Sequence, residues 1–82
     1  MAGTGLSESI SAGARYEPVT LANAELPSGV CRCLLVGTAG LANLMQADGT
    51  VRTGVPLAAG FNPIQALQVR TGTAAGNIWA VY

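Results

Sequence analysis

Residues 41–57 read LANLMQADGTVRTGVPL, two apolar runs joined at Asp48-Gly49. Asp-Gly between alternating apolar positions is the strongest short-range signal of a β-hairpin, because a type I′ turn needs positive φ at both central residues and these two tolerate it best. The spacing predicts strands over 41–47 and 50–57, with Ala47 opposite Thr50 and Leu44 opposite Thr53. That register gathers Ala42, Leu44, Val51 and Val55 on one face as a candidate core. The other face carries Leu41 and Met45 beside Asn43 and Arg52. A sheet with one wet side alternates more strictly. Apolar residues on both faces therefore point to a sandwich, a barrel or burial against another subunit, and they mark Leu41 and Met45 as candidate interface residues.

Upstream, residues 30–36 form a first strand with Cys31, Cys33 and Leu35 on one side and Val30, Arg32, Leu34 and Val36 on the other. GTAG at 37–40 makes a turn. Downstream, Pro56 falls near the end of its strand, where a missing N–H costs least. Residues 58–60 turn the chain into a fourth strand over 61–70, whose alternation slips near Ala66 and predicts a β-bulge. A loop of small residues over 71–76 leads to a last strand over 77–82, with Ile78, Ala80 and Tyr82 opposite Trp79 and Val81. Apolar on both faces, this strand belongs at the centre of a sheet or in an interface. A chain closing on such a strand is expected to dock it into a sheet or a neighbour.

The first residues, MAGTGLSESIS at 1–11, are small and polar and suit a mobile arm. Residues 12–29 are punctuated by Pro18, Pro27 and Gly29, with room for an extended stretch over 16–21 and one helical turn over 22–26 stopped by Pro27. The expected organisation is a flexible, extended N-terminal arm over 1–25 and an antiparallel β domain over 26–82. The fold class is all-β, a small sandwich or barrel of about five to six strands.

The chain has 82 residues, room for one domain. A domain so short buries only roughly 60–65% of the surface its unfolded chain exposes. Half of the residues are apolar and 10% are charged, with no lysine, whereas soluble domains average about 25% charged. The surplus apolar surface calls for an oligomer or a larger assembly. Formal net charge is zero, and Arg15, Arg32, Arg52 and Arg70 are dispersed. Nucleic-acid binding relies on clustered cations that displace counterions, so no nucleic-acid partner is expected. No positive residue precedes the weakly apolar N-terminal stretch and no apolar run reaches the ~20 residues that span a bilayer. A soluble product of the cytoplasm with no membrane partner is expected.

The chemistry of catalysis finds little support. With neither histidine nor lysine, only carboxylates or a perturbed cysteine remain as bases, and Glu17, Glu25 and Asp48 lie on different segments without acid–base spacing. Asp48 and Gly49 are turn residues. Cys31 and Cys33, two apart on a strand, place their α-carbons about 6.5–7 Å apart, at the limit for an unstrained disulfide. Half a zinc site is the sharper reading, but tetrahedral zinc needs four ligands, and buried reduced thiols are expected instead. The glycine runs at 37–40 and 72–76 lack the Gly-Lys-Ser/Thr and the helix of a phosphate loop and read as hairpin loops. No cofactor or metal is expected. Arg32 and Arg70 interrupt apolar strands, either as solvated positions with snorkelling stems or as intersubunit ion-pair partners of Glu17 or Glu25. Trp79, Tyr82, Phe61 and Tyr16 pack in a core or subunit contact, or, gathered on an exposed surface, stack on a sugar ring. The candidate interface is thus Arg32, Arg70, Leu41, Met45, Trp79 and Tyr82.

Leu26-Pro27, CRCLLVGTAG at 31–40, ADGT at 47–50, Val55 to Gly60, the NPI run from Asn62 to Ile64 and VRTGTAAGNIWAVY at 69–82 follow one another in a particular order. In that order and spacing, roughly residues 26–82 resemble the small spike base proteins of tailed phages and gene transfer agents. Their typical run is a strand ending in YVGxAG, a DGT hairpin, a VxxG turn with LPIR, and a terminal ATGTTATGIVALY. Leu35, Asn62, Gln65 and Asn77 depart from that pattern. The resemblance implies a non-enzymatic virion protein made in the host cytoplasm and placed on the capsid surface. Its implied partners are the major capsid protein, further copies of itself as a homotrimer or homopentamer, and a spike or fibre protein. It would act as a spike base at fivefold vertices or as a head decoration or cement protein at threefold sites, adhering through apolar contact and β-edge pairing. A host-glycan-binding attachment module built on Trp79 and Tyr82, and a tail or neck component, are the alternatives.

Overall fold

The computed structural model describes residues 15–82; residues 1–14, most of the expected arm, lie outside the described residues. The fold is all-β. Among the described residues there are seven strands and no helix: β1 (Tyr16–Pro18), β2 (Cys33–Thr38), β3 (Gly40–Met45), β4 (Val51–Leu57), β5 (Gly60–Asn62), β6 (Gln68–Val69) and β7 (Gly76–Val81). They form two antiparallel sheets, one of four strands in the order β1-β7-β2-β5 and one of three in the order β4-β3-β6. The last strand is central, between β1 and β2.

One buried cluster draws on both sheets. Leu34, Val36, Ile78 and Ala80 come from the four-stranded sheet, Ala42, Leu44, Leu57 and Val69 from the three-stranded one, and Leu26, Cys31, Ala66 and Ala75 from the connections. The chain changes sheet on each of the steps β2 to β3, β4 to β5, β5 to β6 and β6 to β7. Only β3 and β4 are sequence neighbours that also pair. The glycine runs at 37–40 and 72–76 are therefore crossings between sheets, not hairpin loops.

The hairpin itself corrects the expected register. Gln46 N–H donates to Thr50 O at 2.8 Å and Gly49 N–H to Gln46 O at 2.9 Å. The loop thus has three residues, closed by Gly49 at φ 90°, and Asp48 does not take the positive φ of a type I′ turn. A type I turn completed by a left-handed glycine is the next commonest hairpin solution. The extra loop residue sets Leu44 against Arg52 and Met45 against Val51. A bulge at Asn43 then restores Ala42 to Val55, with Gly54 at φ 70° supplying the additional residue. Val51 consequently leaves the expected core face and is 42% exposed.

Other expectations shift as well. The first strand begins at Cys33; Cys31 makes an isolated bridge to Ala66, and Arg32 and Cys33 both meet Val81. This irregularity turns Cys31 into the core cluster while Cys33 stays outside it, so the two thiols do not share a face. The expected strand over 61–70 is two short strands, β5 and β6, with a tight turn from Asn62 to Ile64 between them. Residues 22–26 form no helical turn, because the Ala22 and Leu26 N–H groups are taken by the carbonyls of Val69 and Leu67. β1 falls within the extended stretch expected over 16–21, and its pairing with β7 makes that part of the expected arm an edge of the sheet.

Candidate functional site

Directly opposed residues in an antiparallel sheet share a face. In the four-stranded sheet the row Glu17, Ala80, Leu34, Asn62 crosses all four strands. Ala80 and Leu34 in its middle are fully buried in the core, so this row faces inward. Its two ends are polar and satisfied. Glu17 accepts the Ser28 hydroxyl at 2.9 Å on each oxygen. Asn62 accepts from Ala58 N–H at 2.9 Å and donates to Ala58 O and Gly60 O at 2.9 and 3.1 Å.

The next row, Pro18, Trp79, Leu35, Phe61, alternates to the outer face. Every member is apolar, and no strand contributes a polar end. Phe61 is 60% exposed and Leu35 38%, with Trp79 half-buried. Beside it runs Tyr16, Val81, Cys33. Tyr16, 67% exposed, meets Trp79 edge to face at 6.3 Å between centroids, a favoured aromatic geometry. The indole N–H donates to Asn77 Oδ1 at 3.1 Å, and Asn77 lies over Gly37, where a Cβ would stand 2.7 Å from its Nδ2. The polar atom of Trp79 is thus satisfied within the chain, which leaves its ring for apolar contact. These two rows carry no formal charge on their outward face.

The outer face of the three-stranded sheet is less continuous. Leu41, 57% exposed, opposes Pro56, and half-buried Met45 opposes Val51. Between them the Asn43 side chain takes the Gly54 N–H at 3.2 Å and donates to Thr71 O at 3.0 Å, while its backbone N–H donates to Thr73 Oγ1 at 3.0 Å. A polar seam divides this face.

The six candidate interface residues are therefore not gathered. Trp79 lies on one outer face, Leu41 and Met45 on the other. Tyr82 turns inward, packed against the core, with its hydroxyl donating to Gly29 O at 3.0 Å and the Arg15 guanidinium 5.2 Å from its ring centroid. Burial, with Cys31 and Glu17 nearby, holds the Tyr82 phenol above its usual pKa despite Arg15. Arg32 is half-buried between the cysteines, and Arg70 is half-buried and donates to the Gln68 side chain. The turn pair Asp48-Gly49 is exposed, and Asp48 Oδ1 accepts the Thr50 N–H at 2.9 Å. That bond holds the Asp48 carboxyl below its usual pKa.

Leu35, Phe61, Tyr16 and Pro18 were outside the candidate set. Leu35 had the right parity in its strand, and Phe61 and Tyr16 stood among the aromatics, yet only the order β1-β7-β2-β5 aligns them with Trp79. Of the four aromatics considered for stacking, three share this face and Tyr82 does not. Both cysteines are free thiols, and burial pushes their pKa values up, for Cys33 against the opposing charge of Arg32. Among the described residues no three His, Cys, Asp or Glu side chains converge as metal ligands, and no helix is long and apolar enough to cross a membrane. In comparison with known proteins, no family model matches the chain, and neither a curated protein nor a solved structure does.

Proposed function

We propose that this chain is a non-catalytic virion structural protein of the capsid surface, a head decoration or cement protein or a spike base, held by apolar contacts to the major capsid protein and to its own copies. The observation that carries the reading is that both sheets turn apolar side chains outward: Phe61, Leu35 and Trp79 on one side, Leu41 and Pro56 on the other. A subunit bound to a capsid and to its siblings needs two adhesive surfaces, whereas a free monomer of this size needs none. Burying a large apolar side chain yields about 1.5–3 kcal/mol before the costs of association. Modest contacts repeated by symmetry then sum to a firm attachment.

The adhesion works through faces. Each sheet edge is short or interrupted: β1 and β5 have three residues each and β6 two, while β4 contains the Gly54 bulge and Pro56. Such edges disfavour strand addition, so β-edge pairing contributes little.

An averaged cryo-electron microscopy map of intact particles tests the reading. Density for the chain on fivefold axes supports the spike base, and density at threefold sites supports the cement role; a head without it removes both. The exposed Tyr16 packed edge to face on Trp79 also favours a second reading, a glycan-binding attachment module. Titration of the single tryptophan with host polysaccharide decides it, since stacking on a sugar would change the emission and a capsid contact would leave it unmoved.

A further inference from the structure

We infer that the Asp48-Gly49 peptide is a modification site at which aspartate isomerises to isoaspartate, and that the closed hairpin of β3 and β4 withholds the reaction until its loop opens. The inference goes beyond the capsid reading and does not depend on it.

The loop supplies both reactants. Asp48 is the only aspartate of the chain and is fully exposed, so its carboxyl group stands in contact with water. The next residue is a glycine, whose nitrogen no side chain obstructs, and nothing stands within 4 Å of where a Cβ would be. The Gly49 amide nitrogen attacks Cγ of the Asp48 carboxylic acid. The N–Cγ bond forms, the Cγ–OH bond breaks, and the hydroxyl leaves with the amide proton as water. Water then opens the five-membered succinimide. Cleavage of the N–Cγ bond returns aspartate, while cleavage between the nitrogen and the main-chain carbonyl carbon gives isoaspartate. The net change in composition is zero, and water is the only co-reactant.

The folded hairpin engages both reacting groups. Gly49 N–H donates to Gln46 O at 2.9 Å. A succinimide nitrogen carries no proton, so the reaction cannot be completed while that bond stands. Asp48 Oδ1 accepts the Thr50 N–H at 2.9 Å, which favours the carboxylate, the form that resists attack. Gln46 N–H donates to Thr50 O at 2.8 Å and closes the loop around them. Such loops open locally at a free energy set by these bonds, and two of ordinary net strength lower the open population at least about tenfold. The product does not fit the closed loop. Isoaspartate puts the Asp48 Cβ into the main chain and so lengthens a loop whose three residues set Leu44 against Arg52 and Met45 against Val51. It also shortens the side chain that reached Thr50. Isoaspartate therefore accumulates in molecules whose hairpin has opened, and it opposes their reclosure in the same register.

Incubation of the full chain at neutral pH, in buffer and in denaturing guanidinium chloride, tests the site. Trypsin, acting at Arg32 and Arg52 in a chain without lysine, releases residues 33–52. In that peptide isoaspartate separates chromatographically from aspartate at unchanged mass, whereas deamidation of Asn43 changes the mass. The expected result is isoaspartate at Asp48 in denaturant, strongly reduced by Gly49→Ala, and formation in buffer at least about tenfold slower. Amide hydrogen exchange at Gly49 measures the opening independently, and its protection should match that slowing. No isoaspartate in denaturant, or formation indifferent to Gly49→Ala, would remove the site. Equal rates in buffer and denaturant, or slowing without protection of the Gly49 amide, would remove the hairpin's control. Because Gly49→Ala is compared only in denaturant, its ability to fold does not enter.

Discussion

The two sheets solve different problems. In the three-stranded sheet β3 and β4 are joined by a three-residue loop, and their pairing tolerates a bulge at Asn43 because a local hairpin can absorb an extra residue without losing its partner. In the four-stranded sheet each pairing joins segments far apart in sequence: β1 with β7, β2 with β7, β2 with β5. Apart from the step at Arg32, those registers run without interruption. The sheet that contains the local hairpin can afford irregularity there and presents a polar seam outward; the one built only of non-local pairings holds strict alternation and presents an apolar face. Strict alternation on both faces is what makes the outer row continuous, so the regularity of this sheet and its apolar outer face have one cause.

The sharpest way to break the contrast is to hollow out the non-local sheet. Leu34 is fully buried between Ala80 on β7 and Asn62 on β5. Leu34→Ala is expected to cost about 2–5 kcal/mol, a large part of the roughly 5–15 kcal/mol that holds a small domain together. Val51→Ala, at the exposed end of the hairpin, should stay within about 0.5 kcal/mol. Urea unfolding of the two variants measures both. Comparable losses would mean that the four-stranded sheet is not the stabilising half.

Gly37→Ala attacks the same sheet from its outer side. A Cβ there would stand 2.7 Å from Asn77 Nδ2 and 2.8 Å from Asn77 Cβ, and Asn77 is already at φ 53°. Overpacking of this kind costs about 1–3 kcal/mol. The displaced amide also releases the Trp79 indole N–H, so the loss of stability should be accompanied by a shift in tryptophan emission. Destabilisation with unchanged emission would place the strain elsewhere.

What the sequence made legible follows the same division. The all-β class, the strand on either side of Asp48-Gly49, the bulk of Ala42 and Leu44 in the core, and the central place of the last strand were readable from alternation and turn chemistry. The hairpin register was misread because Asp-Gly serves a two-residue and a three-residue loop, and the choice rests on whether Asp48 or only Gly49 takes positive φ. The sheet crossings at 37–40 and 72–76 were misread because small-residue runs look alike whether the chain returns to its own sheet or leaves it. The candidate face was invisible for a related reason: Phe61, Leu35, Trp79 and Pro18 are aligned by long-range register alone, which period-2 patterning cannot supply. Asn62 proves to be the amide that closes the passage from β4 to β5.

On the local side, Gly54→Ala tests the bulge. Nothing lies within 4 Å of a Cβ at this position, so the substitution meets no clash and only the backbone objects. Forcing an L-residue to φ 70° costs about 1–2 kcal/mol. Gly37→Ala and Gly54→Ala thus reach similar losses by opposite routes, steric in one sheet and conformational in the other. They can be told apart by Trp79 emission, which Gly54→Ala should leave unchanged. Gly54→Asn should recover part of the loss, since asparagine accepts the left-handed region better than alanine, whereas no larger residue should rescue position 37.

The smallest effect belongs to the hairpin loop. The Asp48 carboxylate is stabilised chiefly by the Thr50 backbone N–H, and its pKa in the folded protein lies below the usual value. A depressed folded pKa means that the unfolded chain binds the proton more readily. The contribution is therefore complete above the ordinary aspartate pKa of about 4 and disappears as pH falls through the lower folded value. Asp48→Asn keeps an acceptor for Thr50 but does not titrate. Thermal melts from pH 6 to pH 2 should show the wild-type advantage over Asp48→Asn shrinking across that acidic window, with the two curves parallel above it. Because Asp48 is fully exposed, the change should be the least of the four and should diminish in high salt only slightly, since a hydrogen bond to the backbone, more than attraction to Arg52, sets the shift. A wild-type advantage that persisted unchanged to the lowest pH would remove the titrating bond as its source and leave the loop to be held by Gly49 alone.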